Sequence, residues 1–215
     1  MTKLKAVIFD LDGTIANTIP LIIKSVQHAL EPLIDRSISD QEVVGTFGPS
    51  EVGTVMALAP NEVELGFQRY LDFYKQFHDM CPAPFDGIAE LLDFLLEKNI
   101  RIAMVTGKSK ESASIDLELF NMTQYFEQIE TGIPSRPSKP DALQRICDAM
   151  PSILTQEMIY VGDAPTDVAA SHQVNIPIVG AGWANTTDLD ALEIANPDFL
   201  FHTIADFLEW LKRRI

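Results

Sequence analysis

Four short segments of the sequence carry side chains that together could transfer a phosphoryl group. They are residues 9–14 (FDLDGT), 105–109 (VTGKS), 138–141 (SKPD) and 161–167 (VGDAPTD). A carboxylate such as that of Asp10 can attack phosphorus and hold an aspartyl-phosphate, which divides one difficult displacement into two easier ones. Asp12, two residues later, can protonate the leaving oxygen and then deprotonate the attacking water. The first segment therefore predicts a nucleophile and an acid/base.

Two further acidic residues could bind a divalent cation beside Asp10. Asp163 lies in the fourth segment, and Mg²⁺ prefers carboxylate and phosphate oxygens as ligands. Such an ion would offset the repulsion between an anionic nucleophile and an anionic substrate. Asp167 follows one helical turn later, where its carboxylate could bind the ion or one of its waters. We therefore predict Mg²⁺ as the cofactor.

Phosphate binding is expected at the second and third segments. Thr106, the amide of Gly107 and the N-terminus of the following helix could form a cradle for phosphate oxygens. Lys139 could supply fixed positive charge, with Arg136 just upstream as a competing cation. Taken singly, a Thr-Gly after a strand is commonly a loop, and a Lys-Pro usually opens a solvated helix. Their occurrence together, in this order, favours phosphoryl transfer.

Short apolar runs alternate with amphipathic stretches along most of the chain. These runs predict strands near residues 4–9, 100–105, 158–161 and 176–179, with weaker strands near 126–130 and 199–201. Strands that are buried on both faces and separated by helices form parallel sheets with right-handed crossovers. We therefore predict an α/β fold with a doubly wound, Rossmann-like parallel sheet. Ligands bind such sheets beyond the carboxyl ends of the strands, where the candidate residues lie.

Residues 16–84 interrupt this alternation. They show helical periodicity without a convincing strand, and Gly-Pro at 48–49 and prolines at 60, 82 and 84 punctuate them. We predict an α-helical cap domain at 16–84, inserted into an α/β core formed by 1–15 and 85–215. The alternative is a small helical layer packed directly on the core.

Composition excludes several classes of protein. The 215 residues carry a formal net charge of −15, which argues against nucleic acid or an anionic membrane as partner. Cys81 and Cys147 form neither a CxxC pair nor a zinc-ligand spacing, so we expect two free thiols in a reducing compartment. No apolar run reaches 18 residues. We expect a cytoplasmic protein with a small phosphorylated metabolite as partner; its oligomeric state stays open.

The four segments, in this order, resemble the motifs of haloacid-dehalogenase-superfamily phosphatases, and the helical insertion resembles the cap of that superfamily. The resemblance implies that Asp10 is the nucleophile and Asp12 the acid/base. It also implies that Asp10, the backbone carbonyl of Asp12 and Asp163 bind Mg²⁺. Asp167 would be a possible further contact, either to the ion or in its second coordination sphere.

Residues 48–51 (GPSE) resemble cap loops of the pyrophosphatase and phosphoglycolate-phosphatase branch. Ser50 or Glu51 could therefore select substrates, although an N-cap for the helix after Pro49 is an alternative role. The sequence also departs from the superfamily pattern. Its third motif reads KPDA where many relatives have Lys-Pro-x-Pro, and Gly107 replaces a frequent Asn or Ser. The backbone N–H of Gly107 remains available as a donor.

We predict a Mg²⁺-dependent phosphatase that hydrolyses a small phosphorylated metabolite through an aspartyl-phosphate, with cap closure excluding water. Pyrophosphate, phosphoglycolate and sugar phosphates are all admissible substrates. One alternative is a phosphomutase of the same fold. Another is a phospho-accepting signalling module, although Asp12 and the inserted helices count against it.

Overall fold

Six parallel strands form the centre of the computed structural model, which describes residues 3–215. The strands are β1 (Ala6–Phe9), β2 (Arg101–Val105), β3 (Gln128–Glu130), β4 (Met158–Gly162), β5 (Ile178–Ala181) and β6 (Phe199–Phe201). Their order in the sheet is β3-β2-β1-β4-β5-β6. All neighbours pair in parallel. The chain runs outward from β1 to β3 and then returns to β4 beside β1. The predicted doubly wound α/β fold is confirmed.

The strands form because their apolar side chains are buried on both faces of the sheet. Every residue of β1 is buried. Val7 and Phe9 pack into one apolar core, whereas Ala6 and Ile8 pack into a second one on the opposite face. This alternation follows from the two-residue period of a strand. It explains why the strands read as continuous apolar runs rather than as alternating ones.

Helices connect the strands and cover the sheet. Five lie between β1 and β2, and their ranges are α1 (Ile19–Ile34), α2 (Asp40–Val44), α3 (Glu51–Leu58), α4 (Val63–Gln76) and α5 (Ile88–Glu97). The others are α6 (Lys110–Leu119), α7 (Lys139–Ala149), α8 (Pro165–Gln173), α9 (Leu189–Ile194) and α10 (Ile204–Lys212). Short 3₁₀ turns occur at His78–Met80, Thr123–Tyr125 and Thr155–Glu157.

The predicted insertion contains helices α1 to α4, joined by turns and loops. α1 is amphipathic and buries Ile22, Val26 and Leu30 among its apolar residues. Gly66 of α4 lies against Leu30 and Val55, so the absence of a side chain lets the helices approach closely. The division into a cap at 16–84 and a core at 1–15 and 85–215 stays a prediction.

Two other expectations concern the chain as a whole. Cys81 and Cys147 are free thiols, as predicted. Among the helices of residues 3–215, none combines the length and the apolar character needed to cross a membrane.

Candidate active site

The edge of the sheet where β1 and β4 end holds three of the predicted acidic residues. Asp10 follows β1 directly, and Asp163 follows the neighbouring strand β4. Asp167 lies in the first turn of α8. Carboxylate oxygens of Asp10, Asp163 and Asp167 all lie within 4.8 Å of one another. The doubly wound topology therefore brings the first and fourth segments together.

Gly13 allows the loop after β1 to pass close to Asp163. Its φ of +74° lies in the left-handed region, which favours glycine. A Cβ atom at residue 13 would overlap the carboxylate of Asp163. The glycine of the first segment is therefore required by both the backbone conformation and the available space.

Lys139 joins two of these carboxylates. Its Nζ donates to Asp10 Oδ2 at 2.7 Å and to Asp167 Oδ1 at 2.5 Å. Asp167 also accepts hydrogen bonds from Tyr160 Oη at 2.8 Å and from a backbone amide of α8's own N-terminus at 3.1 Å. Arg136, the competing cation, is exposed and pairs with Asp141. Lys139 is therefore the cation that reaches Asp10.

The acidic groups have unusual proton affinities because they are buried together. Burial raises the pKa of Asp10 to about 7; Asp167 and Asp12 add to this effect, whereas Lys139 opposes it. Burial also raises the pKa of Asp12 and, together with the charges of Asp167 and Asp10, raises that of Asp163 well above its usual range. Burial lowers the pKa of Lys139, but Asp10 and Asp167 outweigh it and the net shift is upward. Lys139 is therefore charged.

The donor chemistry of this cluster fits a hard divalent cation. Asp10 and Asp163 offer carboxylate oxygens at close range, and Mg²⁺ is bound by one or two carboxylates together with waters and substrate phosphates. Both oxygens of Asp167 are already hydrogen-bonded. Asp167 is therefore better suited to orient Lys139 than to bind an ion directly.

Asp12 belongs to a second buried network that the sequence analysis missed. Lys108 Nζ lies 3.2 Å from Asp12 Oδ1 and 3.3 Å from Asp116 Oδ2, and it donates to Tyr74 Oη at 2.9 Å. Thr18 Oγ1 donates a further hydrogen bond to Asp12 Oδ1. Lys108 belongs to the second segment. Its position after Thr-Gly at a strand end was a weak signal, whereas its partners on α4 and α6 left no sequence signal.

Glu51 connects the predicted insertion to the core. Its Oε2 accepts from the amide of Ser109 at 2.5 Å, and its Oε1 accepts from Ser112 Oγ at 2.5 Å and from Tyr70 Oη at 3.2 Å. Ser50 occupies the N-cap position of α3, but its side chain makes no capping bond. Ser50 and Glu51 are both buried, and of the two only Glu51 lines the cavity at the sheet edge. Their roles in substrate selection stay predictions.

The second segment turns tightly beneath this cavity. Gly107 and Lys108 line the cavity wall. Thr106 is buried, and its hydroxyl accepts from the amide of Lys108 at 3.2 Å. The Ser109 hydroxyl caps α6 by accepting from the amide of Ser112. Thr106 therefore shapes the loop, and its predicted contact with phosphate stays a prediction.

The family of this chain follows from a comparison with known sequences. The sequence profile of the haloacid dehalogenase-like hydrolases matches residues 7–181. The chain belongs to this family. The match runs from β1 to β5 and includes all four segments, so the resemblance noted in the sequence is confirmed. The chain is accordingly a hydrolase of the haloacid dehalogenase-like family.

Similar hydrolases of known name cover nearly the whole chain. A protein named pyrophosphatase PpaX from Bacillus pumilus is 28% identical over 209 residues, covering 96% of each chain. One of the same name from Halalkalibacterium halodurans is 27% identical, again covering 96% of each chain. A crystal structure from Haemophilus somnus, described as a predicted phosphoglycolate phosphatase, superposes with a TM-score of 0.82. It is 20% identical and covers 98% of this chain and 99% of its own, which shows the shared fold.

The buried lysine network predicts a large effect on stability. Replacing Lys108 by Met should lower the free energy of unfolding by about 3–5 kcal/mol, because it removes the ammonium shared by Asp12 and Asp116 and leaves the buried Asp116 with only His78 and Tyr74 as partners. Lys110→Met is the matched control, since Lys110 is exposed, and should change stability by less than about 0.5 kcal/mol. Urea denaturation followed by circular dichroism measures both. Equal unfolding midpoints for the two variants would contradict the role of the network.

The close approach at Gly13 generates a second prediction. Gly13→Ala should destabilise the fold by about 1–3 kcal/mol through left-handed backbone strain, and it should displace Asp163. Gly107→Ala is the control, because the nearest atom to its added Cβ would be 4.0 Å away. Thermal unfolding of both variants tests the difference. A Gly13→Ala protein as stable as Gly107→Ala would show that the close packing is not constraining.

Proposed function

We propose that this haloacid dehalogenase-like hydrolase is a Mg²⁺-dependent phosphatase acting on a small phosphorylated metabolite through an aspartyl-phosphate on Asp10. One observation carries the proposal. Asp10 lies at the edge of a cavity with Asp12, Lys139 and Asp163, so a nucleophile, an acid/base, a cation and a metal-binding carboxylate face one space. The names of its relatives, pyrophosphatase and phosphoglycolate phosphatase, support a phosphoryl substrate.

The first half-reaction joins Asp10 to phosphorus. A carboxylate oxygen of Asp10 attacks, the bond from phosphorus to the leaving oxygen breaks, and Asp12 gives its proton to that oxygen. Burial raises the pKa of Asp12, which keeps a proton available for this step. Lys139 holds Asp10 through a 2.7 Å hydrogen bond and adds positive charge beside the anionic phosphoryl group.

The second half-reaction releases phosphate. Asp12, now ionised, takes a proton from a water molecule as that water attacks phosphorus, and the Asp10 carboxylate leaves. Inorganic phosphate departs, and both acids return to their starting forms. The 3.2 Å contact with Lys108 stabilises the ionised form of Asp12 between the two steps.

Asp10, Asp163 and the backbone carbonyl of Asp12 would hold the Mg²⁺ ion. When bound, Mg²⁺ offsets the repulsion between the Asp10 carboxylate and the phosphate oxygens. Asp167 would support this site by holding Lys139 in place with its 2.5 Å contact.

Substitution of the two aspartates tests the mechanism. Asp10→Asn should abolish phosphate release from an aryl phosphate, because a neutral amide cannot act as the nucleophile. Asp12→Asn should slow turnover about 10²–10⁴-fold and trap a phosphoenzyme visible by intact-protein mass spectrometry. Asp190→Asn, an exposed aspartate on α9, is the control.

Three outcomes would contradict the mechanism or change the type of reaction. If the Asp10→Asn variant retained activity, Asp10 would be excluded as the nucleophile. If wild-type protein requires a bisphosphate activator and its phosphorylated form is not hydrolysed by water, the phosphomutase alternative holds. If its phosphorylated form persists for minutes, the signalling alternative holds.

Metal binding should depend on pH. The ion binds ionised carboxylates, and burial raises the pKa of Asp10 to about 7. At pH 6 protons therefore compete with Mg²⁺ for the Asp10 carboxylate, whereas at pH 8 this carboxylate is largely ionised. We expect Mg²⁺ to bind about tenfold more tightly at pH 8 and its binding to release protons at pH 6. Isothermal titration calorimetry in two buffers measures both effects. Asp163→Asn should weaken binding at both pH values, and a pH-independent affinity would exclude this site.

A further inference from the structure

We infer that the leaving group of the substrate is uncharged and largely apolar. The substrates would then be phosphate esters of small apolar alcohols or phenols, rather than pyrophosphate or esters that carry a carboxylate. This inference rests on the proposed function, because it concerns the part of the substrate beyond the phosphoryl group. Its basis is the composition of the cavity walls.

The cavity at the sheet edge has a volume of about 410 Å³. Its charged groups include Asp10 and Lys139 at the sheet edge and Glu51 on α3. Most of the remaining lining is apolar and includes Ile19, Ile22, Phe47 and Pro49 of the predicted insertion, Pro137 of the loop before α7 and Pro140 in the first turn of α7. A leaving group that projects away from the phosphoryl position therefore meets hydrocarbon, which favours apolar surface.

The charges around the cavity disfavour a second anion. Within residues 3–215, the cations that line the cavity are Lys108 and Lys139, against four lining carboxylates: Asp10, Asp12, Glu51 and Asp163. Each lysine is already paired with carboxylates at 3.3 Å or less. An anionic leaving group would thus be removed from water without an unpaired lysine to receive it, which is costly. The Mg²⁺ ion of the proposed function would offset the charge of the phosphoryl group itself.

Glu51 makes this bias stronger on the side of the insertion. Its carboxylate is 7% exposed and lines the cavity. Its hydrogen-bond partners on α6 and α4 are the uncharged groups of Ser109, Ser112 and Tyr70, and Lys108 Nζ is 3.7 Å away. Like charges at close range in such a cavity repel, so Glu51 would oppose a carboxylate or a second phosphate in the leaving group.

Arg136 is a further cation to consider, because it precedes the lining residue Pro137 in the sequence. Its side chain is 59% exposed, and its Nη2 already contacts Asp141 Oδ2 at 2.5 Å. Its Nη1 donates to the backbone oxygen of Pro137 at 3.2 Å. Arg136 is therefore solvated and paired outside the cavity, and it does not compensate a charge inside.

The walls also offer few partners for the hydroxyl groups of a sugar. Thr54 lines the cavity, but its hydroxyl is already hydrogen-bonded to that of Thr46 at 2.9 Å. Thr166 and Gln173 also line the cavity with uncharged polar side chains. The loop at Gly48 packs against Pro137, since an added Cβ at residue 48 would lie 3.1 Å from Pro137 Cγ. Few uncharged polar side chains are therefore available to the hydroxyl groups of a sugar.

A pair of matched esters tests the inference. Phenyl phosphate and 4-carboxyphenyl phosphate share a ring and differ by one carboxylate. The 4-carboxyphenol released from the second ester is chemically the slightly better leaving group. With Mg²⁺ present, we expect kcat/KM for phosphate release to be at least about tenfold higher for phenyl phosphate. Pyrophosphate and phosphoglycolate should also react at least about tenfold less efficiently than phenyl phosphate.

A positive charge added to the cavity wall should weaken this preference. Phe47→Arg places a cation on an exposed part of the lining and should improve the kcat/KM ratio of 4-carboxyphenyl to phenyl phosphate about tenfold. Val44→Arg is the matched control: Val44 is exposed on α2 outside the cavity lining. It adds the same charge to the chain and should leave the ratio unchanged.

The outcomes distinguish a failure of the inference about the leaving group from a failure of the proposed function. If wild-type protein hydrolyses pyrophosphate or either carboxylated ester as well as phenyl phosphate, the inference about the leaving group is wrong and the proposed function stands. An equal change of ratio in both arginine variants would also overturn it, because the effect would then be long-range. If none of the four compounds releases phosphate, the proposed function fails and the inference fails with it.

Discussion

The structure of the site depends on buried carboxylates held close together at the end of the sheet. Such groups repel when ionised, and burial alone would keep them protonated. Two lysines, one buried and one partly buried, stabilise these carboxylates separately: Lys139 contacts Asp10, and the buried Lys108 contacts Asp12. The two aspartates therefore have separate cationic partners although they are two residues apart. This separation suits one to be a nucleophile and the other to exchange a proton.

The same constraint links helices α3 and α4 to the loop after β2 and to the start of α6. Lys108 reaches Tyr74 on α4, and Glu51 on α3 receives the amide of Ser109 at the start of α6. Each of these contacts joins a helix that precedes β2 to the segment that follows β2. The groups that form one side of the cavity are therefore positioned by helices before β2 and by the loop after it. Lys108, Tyr74 and Glu51 therefore form one network that joins α3, α4 and the loop after β2.

Sequence reasoning predicted the fold well, because strand and helix periods are local properties. All six strands were predicted within a few residues, and the four segments lie where the parallel topology requires. Asp10 and Asp163 followed from the same rule, since parallel strands end at a common edge. Lys108 could not be recognised in this way. A lysine near a strand end is usually solvated, and its burial depends on Tyr74 and Asp116, which are distant in sequence.

The sequence by itself determined the order of strands and helices, the types of reactive group and the strand ends at which they lie. The period of apolar residues and the chemistry of each side chain are local properties of the sequence, so they can be predicted without coordinates. Only the tertiary structure decided that Lys139 rather than Arg136 meets Asp10, that Glu51 contacts α6, and that the cavity wall is apolar. These facts depend on how separate helices pack against the sheet edge, and distances between remote residues have no local signal.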